Sequence, residues 1–93
     1  MEMKEFVVDC TRMTGRKKVH DYLKETLSLP DYYGRNLDAL YDCLTEMQEC
    51  VLILQNEAAL NALGEYGDAL LAVFRDAGTT NPKLHLVEEI EEN

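Results

Sequence analysis

The sequence is poor in positive charge. Its 93 residues include 9 lysines and arginines against 18 aspartates and glutamates, which gives a formal net charge of −9. Nucleic acid and anionic membrane surfaces would repel such a chain, so neither is expected as a partner. The charge favours a basic protein as partner, although acidity alone could also serve to keep a small protein in solution.

The chain also lacks a long apolar segment. No run approaches the roughly 18 residues that span a membrane, and the N-terminal stretch MEMKEFVVDC has no basic region followed by an apolar one, as a signal peptide would. Three cysteines, Cys10, Cys43 and Cys50, are an odd number without a CxxC pair. These features predict a cytoplasmic protein whose thiols stay reduced.

Motifs for catalysis and metal binding are missing as well. The sequence has no Gly-rich phosphate loop, no calcium-binding loop and no His or Cys spacing typical of zinc sites. A domain of this size has little room for a sugar-sized cleft beside its core. The one conceivable nucleophile–base pair is Cys10, at the end of a predicted strand, with His85 on another. We therefore expect no enzyme activity, no metal and no cofactor.

What is present suffices for one domain over residues 1–93, since 46% hydrophobic and 29% charged residues are ordinary for a globular chain. Apolar periodicity predicts strands at about 4–9, 50–55 and 83–87, and helices at about 15–27, 37–46, 57–63 and 67–78. Strands separated by helices favour parallel pairing. The expected fold class is α/β, a small three-stranded parallel sheet packed with about four helices. The acidic end, 88–93, is expected to be a flexible tail.

The ends of these elements carry their own signals. N-caps are predicted at Thr14, Asn36 and Asn56, and helix stops at Gly64 and Gly78. The nearly continuous apolar run CVLILQ at 50–55 is typical of a strand that is covered on both faces.

The second predicted helix carries a row of like charges. Asp38, Asp42 and Glu46 recur every four residues with no basic residue between them. Each such pair costs an isolated helix roughly 0.2–0.5 kcal/mol. Tyr41 and Thr45 lie in the same sector, and the apolar stripe that faces the core is Leu37, Leu40 and Leu44. The row is therefore exposed, and the pattern favours a binding face over a merely solvated one.

Two adjacent tyrosines, Tyr32 and Tyr33, precede this helix. Neighbouring side chains in a loop cannot easily both be core, so we expect one to pack and the other to offer a flat contact surface. The basic run RKK at 16–18 opens the first helix, an end that prefers acids, and the sequence assigns it no role.

The stretch LPDYYGRNLDALYDCLTE at 29–46 closely resembles the signature of the barstar family, intracellular inhibitors of secreted ribonucleases of the barnase type. VFRDA at 73–77 resembles the family's fourth helix, and the order of strands and helices agrees along nearly the whole chain. The resemblance implies an immunity protein that plugs the active site of a basic ribonuclease. In that arrangement the second helix and the loop before it make most of the contact, and acids stand in for RNA phosphates. We expect a monomer when the chain is free.

The residues that the resemblance assigns to the ribonuclease contact are Tyr32, Gly34, Asn36, Leu37, Asp38, Ala39, Tyr41, Asp42, Thr45 and Asp76. Among them Tyr32 resembles the loop aromatic that enters the active site. Asp42 resembles the central carboxylate, the one set in the phosphate pocket, and Asp76 a second acid on the neighbouring helix.

This chain departs from the family pattern at two of these places and at Arg35 beside them. Tyr41 stands where tryptophan is frequent, Asp76 where glutamate is usual, and Arg35 where the family can carry an acid. The departures keep an alternative open, in which the chain regulates a different basic protein or a toxin that is not a ribonuclease.

Overall fold

A computed structural model of the chain describes residues 3–89. Its strands are β1 (Lys4–Asp9), β2 (Cys50–Gln55) and β3 (Leu84–Glu88), and its α-helices are α1 (Arg16–Thr26), α2 (Leu37–Thr45) and α3 (Glu65–Thr80). Two 3-10 segments, Cys10–Arg12 and Glu57–Leu63, complete the helical structure. The short helix predicted at 57–63 is thus present in its tighter 3-10 form. Of the predicted acidic tail, Glu88 belongs to β3, and residues 90–93 lie outside the described part.

The three strands form one sheet in the order β1-β2-β3, and both pairings are parallel. β2 is central, with Leu52 aligned to Phe6 on one side and to Leu86 on the other. Helical segments separate the strands along the chain, as parallel pairing requires. This confirms the predicted α/β fold with a three-stranded parallel sheet.

Only one face of the sheet is covered by the described residues. Cys50, Leu52 and Leu54 of β2 are buried and belong to one cluster with apolar residues of all three α-helices. The residues between them point to the opposite face, where Val7 and Val87 are 46% and 43% exposed. The prediction that β2 is covered on both faces is therefore wrong. A run of apolar residues cannot by itself distinguish a doubly covered strand from one that alternates between a core and a half-open face.

The three cysteines are free, as predicted. Cys10 and Cys50 are buried and Cys43 is half-buried. Burial raises the pKa of the Cys10 thiol to about 11 and moves the pKa values of the other two thiols in the same direction. His85 is exposed on the open face of the sheet and contacts Glu49, so it does not form a nucleophile–base pair with Cys10.

Several predicted helix ends need correction. α1 begins at Arg16 behind Gly15, so Thr14 does not cap it. Asn56 has a left-handed backbone with φ 59°, and its side chain donates to Asp9 Oδ1 at 3.0 Å instead of capping the segment that follows. Gly64 ends that segment as predicted, with φ 60°. Gly78 is not a stop, since α3 continues through it to Thr80.

Candidate functional site

The start of α2 is fixed by local hydrogen bonds. The Oδ1 of Asn36 accepts from the backbone N–H of Ala39 at 2.7 Å, and its Nδ2 donates to the carbonyl of Gly34 at 3.2 Å. One amide side chain thus satisfies a free donor of the first turn and closes the turn before it. The N-cap predicted at Asn36 is confirmed. It fixes where α2 begins and therefore how the acidic row is oriented relative to the loop.

The other end of α2 is held from a distance. Asn81, which is 6% exposed, donates from its Nδ2 to the carbonyls of Leu44 and Met47 at 3.0 and 3.1 Å. Tyr41 adds a hydrogen bond of 2.9 Å between its hydroxyl and Thr80 Oγ1. Because both partners lie at the end of α3, side-chain hydrogen bonds join the two helices there and hold α2 in place before any partner binds.

The acidic row lies on the outside of α2. Asp38, Asp42 and Glu46 are exposed, whereas Leu40 and Leu44 are buried on the side facing the core. None of the three carboxylates forms an ion pair or hydrogen bond through its side chain with any residue between 3 and 89. The charges repel one another, and no cation of the described residues pairs with them directly.

The loop before α2 presents one tyrosine and buries the other, as expected. Tyr32 is 87% exposed, which makes it a free aromatic surface, and Tyr33 is 5% exposed. Between this loop and α2 lies a groove of about 610 Å³, lined by apolar residues that include Leu29 and Met47 and by the carboxylates of Asp42 and Glu46. The groove joins the exposed aromatic to the acidic row in one continuous surface.

Buried hydrogen bonds support the loop from below. His20 of α1 is 3% exposed, and its Nδ1 and Nε2 each lie 2.5 Å from a tyrosine hydroxyl, that of Tyr33 and that of Tyr66. Since a neutral imidazole donates at one nitrogen and accepts at the other, it can satisfy both hydroxyls. Burial, and secondarily the charge of Arg35, lowers the pKa of His20, which favours this neutral form.

Sequence reasoning missed His20, Tyr66 and Asn81 as supports of the site. His20 is 13 residues from Tyr33 and 46 from Tyr66, and Asn81 is 37 from Leu44. No local pattern marks such pairs, because only the packing of α1 and α3 against the loop and α2 brings them together.

The structure places the ten predicted residues on the loop before α2, on α2 itself and on α3. Tyr32, Gly34 and Asn36 lie in the loop, and Asp76 is exposed on α3, the helix that packs against α2. The remainder, Leu37, Asp38, Ala39, Tyr41, Asp42 and Thr45, belong to α2. Leu37, Ala39, Tyr41 and Thr45 are half-buried. A partner would therefore touch mainly the loop and the carboxylates.

Arg35 interrupts this acidic surface. Its backbone has φ 53°, in the left-handed region that a residue with a side chain rarely adopts. Its guanidinium pairs with Asp21 of α1, which also binds Lys17 at 2.8 Å. The loop thus carries a positive charge directly before the cap of α2.

Two further properties concern residues 3–89. Within that range no group of three or more His, Cys, Asp or Glu side chains is placed to hold a metal ion. Over the same range no helix has the length and apolarity to cross a membrane.

Comparison with known proteins adds two findings. The family described as "Barstar (barnase inhibitor)" matches residues 3–88. A Bacillus subtilis (strain 168) protein with the name "Putative ribonuclease inhibitor YrdF" is 42% identical over 78 residues, which is 81% of this chain and 86% of that protein.

Proposed function

The chain belongs to the barstar family, whose members are inhibitors and not enzymes, and on this premise we propose that it is an immunity protein for a basic, barnase-like ribonuclease. It binds the active site of that enzyme with α2 and the loop before it. In this proposal the chain is a cytoplasmic monomer before it binds and has no affinity of its own for RNA.

The observation that carries the proposal is an exposed acidic row whose carboxylates have no ion-pair partner within residues 3–89, on a helix that is hydrogen-bonded at both ends. A ribonuclease must hold cationic groups where it binds the phosphates of RNA. The carboxylates of Asp38 and Asp42, which no cation between residues 3 and 89 pairs with, can face those groups. A charge pair that is desolvated at an interface is worth several times the self-repulsion of the row.

The mechanism of inhibition is occupation of the active site. Asp42 supplies the central carboxylate, and Asp38 and Asp76 add negative charge on either helix. The exposed Tyr32 stands at the end of the groove that leads from the loop to Asp42 and offers an aromatic surface to the enzyme. Because the helix is fastened at both ends before binding, little ordering entropy opposes the contact.

An inhibition assay tests the function. The purified chain is titrated into barnase and other small basic bacterial ribonucleases, and RNA cleavage is followed. We expect cleavage by at least one enzyme to stop at a one-to-one ratio. A variant with Asp38, Asp42 and Glu46 replaced by Asn, Asn and Gln is the control, since it keeps the shape of the row and removes its charge. Undiminished cleavage by every enzyme at excess inhibitor would contradict the proposal.

Association should depend strongly on salt. A net charge of −9, with exposed acids gathered on one helix, steers a basic partner toward the site, and dissolved ions screen that attraction. We expect the stopped-flow association rate to fall steeply between low salt and about 0.5 M, where the screening length is a few ångströms. A rate that is indifferent to salt would remove steering from the proposal.

A second partner class is favoured by Arg35. A positive charge directly before α2 is unfavourable opposite a uniformly basic active site, so the target could be another basic protein or a toxin that is not a ribonuclease. Binding without inhibition of RNA cleavage would identify this case.

A further inference from the structure

A positively charged cavity adjoins the acidic row. It measures about 580 Å³ and lies at the start of α2, where α1, the loop and the beginning of α3 meet. Arg16, Lys17 and Arg35 line it together with a single carboxylate, that of Asp38. These three cations are one third of the 9 lysines and arginines in an otherwise acidic chain. The lining of the cavity is therefore positively charged, whereas the chain as a whole is strongly negative.

The guanidinium of Arg16 is oriented without being neutralised. Its Cζ lies 4.5 Å from the centroid of the Tyr66 ring, and the Tyr66 hydroxyl is itself fixed by His20 at 2.5 Å. No ion pair or side-chain hydrogen bond joins Arg16 to another residue of the range 3–89. A guanidinium stacked on a ring keeps its N–H donors at the edge, where they can meet a planar anion.

Arg35 and Lys17 are only partly neutralised. Both pair with the one carboxylate of Asp21, so two positive charges share one negative charge. The field of Arg35 reaches the floor of the cavity, where it contributes to the lowered pKa of His20. The left-handed backbone of Arg35 is one that a residue with a side chain rarely adopts, and the side chain extends from it to Asp21 of α1, at the edge of the proposed contact.

From this arrangement we infer that the cavity receives an aspartate or glutamate side chain of the partner ribonuclease. The inference rests on the proposed function. It implies that the contact pairs charges in both directions. Cations of the enzyme face Asp38 and Asp42, and one of its carboxylates faces Arg16 and Arg35. Guanidinium and carboxylate groups can form two parallel hydrogen bonds, which fixes the orientation of the partner as well as its sign of charge.

A carboxylate carried by a protein suits the cavity better than a free anion. A net charge of −9 repels anions in solution. On a basic partner, by contrast, the carboxylate is brought to the cavity by the attraction between the neighbouring cations and α2, which raises its effective concentration. A ribonuclease with a cation at that position would instead meet Arg35 and be rejected. The cavity would thus select among basic ribonucleases.

The test compares three arginines of the chain. Arg16→Gln and Arg35→Gln each remove one positive charge from the cavity. Arg12→Gln is the matched control, because Arg12 is exposed, lies over the Tyr22 ring at 5.6 Å and does not line the cavity. Each substitution makes the chain more acidic, so a diffuse field would leave binding to a basic ribonuclease unchanged or tighter in all three. We expect Arg12→Gln to bind the ribonuclease as tightly as the wild-type chain or more tightly. The two cavity variants should bind about tenfold more weakly, mainly through faster dissociation.

The binding measurements use the ribonuclease that the wild-type chain inhibits, with Asp42→Ala in the same series. Cavity variants that bind as tightly as Arg12→Gln, while Asp42→Ala binds weakly, would overturn the cavity and leave the function intact. Failure of the wild-type chain to inhibit any ribonuclease would overturn both. Arg35→Lys keeps the positive charge and changes the shape of the side chain, so it should retain more affinity for the ribonuclease than Arg35→Gln. If both variants lost the same affinity, the charge of Arg35 would not bind the partner and the residue would have a structural role only. Saturable binding of inorganic phosphate at the cavity, with affinity for the ribonuclease unchanged in the Gln variants, would reassign it as a small-anion site.

Discussion

Asp42→Ala should weaken binding to the ribonuclease by at least about 2–5 kcal/mol, the range typical of removing one partner of a buried charge pair at an interface, a class for which barnase and barstar are the standard example. Asp42 lies at the middle of the exposed row and lines the groove that begins at Tyr32. Its removal would leave cationic groups of the enzyme buried without a partner, which is costlier than losing a solvated contact. Calorimetry of the complex measures the loss.

Glu46→Ala is the matched control, since it removes one unit of charge from the same row. Glu46 follows the last residue of α2 at the end of the row, so its loss should cost less than about 1 kcal/mol, as is usual for a charge that stays solvated. Neither variant should unfold more easily, because each relieves repulsion worth a few tenths of a kcal/mol. Equal losses of affinity would mean that the row acts only as a diffuse field.

His20→Ala should lower the free energy of unfolding by about 2–4 kcal/mol, since an unpartnered hydroxyl costs roughly 1–3 kcal/mol when it is buried. The Tyr33 hydroxyl is buried and the Tyr66 hydroxyl partly so, and both bind His20. Tyr66→Phe is the milder control, because it removes one hydroxyl and keeps the bond between His20 and Tyr33. Urea unfolding measures both. If the two variants lost equal stability, the bond to Tyr33 would contribute nothing to holding the loop.

The same histidine should make stability depend on acidity. The pKa of His20 is lowered from its ordinary 6.5 in the folded chain, first by burial and then by Arg35. The unfolded chain therefore takes up the proton more readily, and stability that is complete above pH 6.5 declines as the pH falls below it. The free energy of unfolding measured at falling pH should show this decline. His20→Gln, which keeps a donor and an acceptor but does not titrate, should flatten it over the same range.

The features that could be predicted are those whose interacting residues lie within a few positions of one another in the sequence. The cap at Asn36 acts on Ala39, three residues away, and the acidic row follows from a spacing of four. Apolar periodicity was enough for the three strands, whose parallel pairing the structure confirms. The choice of the ten contact residues depended on the resemblance of 29–46 to a known family, and the geometry adds that they lie on one loop and two packed helices.

The features that escaped prediction depend on the packing of distant segments. The end of α2 is held by Asn81, and the loop is held by His20, which no pattern near either site indicates. The open face of the sheet could not be predicted, because buried and half-exposed residues alternate along β2 while nearly all of them are apolar. Gly78 resembles a stop, but a glycine readily ends a helix where it takes a positive φ, as Gly64 does with φ 60°, and Gly78 keeps a helical backbone inside α3.

The low reactivity of the three native thiols allows local opening of the chain to be followed by alkylation. The thiolate is the species that alkylating reagents attack, and raised pKa values keep it scarce in all three cysteines. Modification of Cys10 or Cys50 must therefore wait until the surrounding segment opens. Cys10 follows β1 and Cys50 begins β2, so mass spectrometry after timed alkylation would rank the opening of these two regions without any engineered probe, with the half-buried Cys43 of α2 as the more accessible comparison.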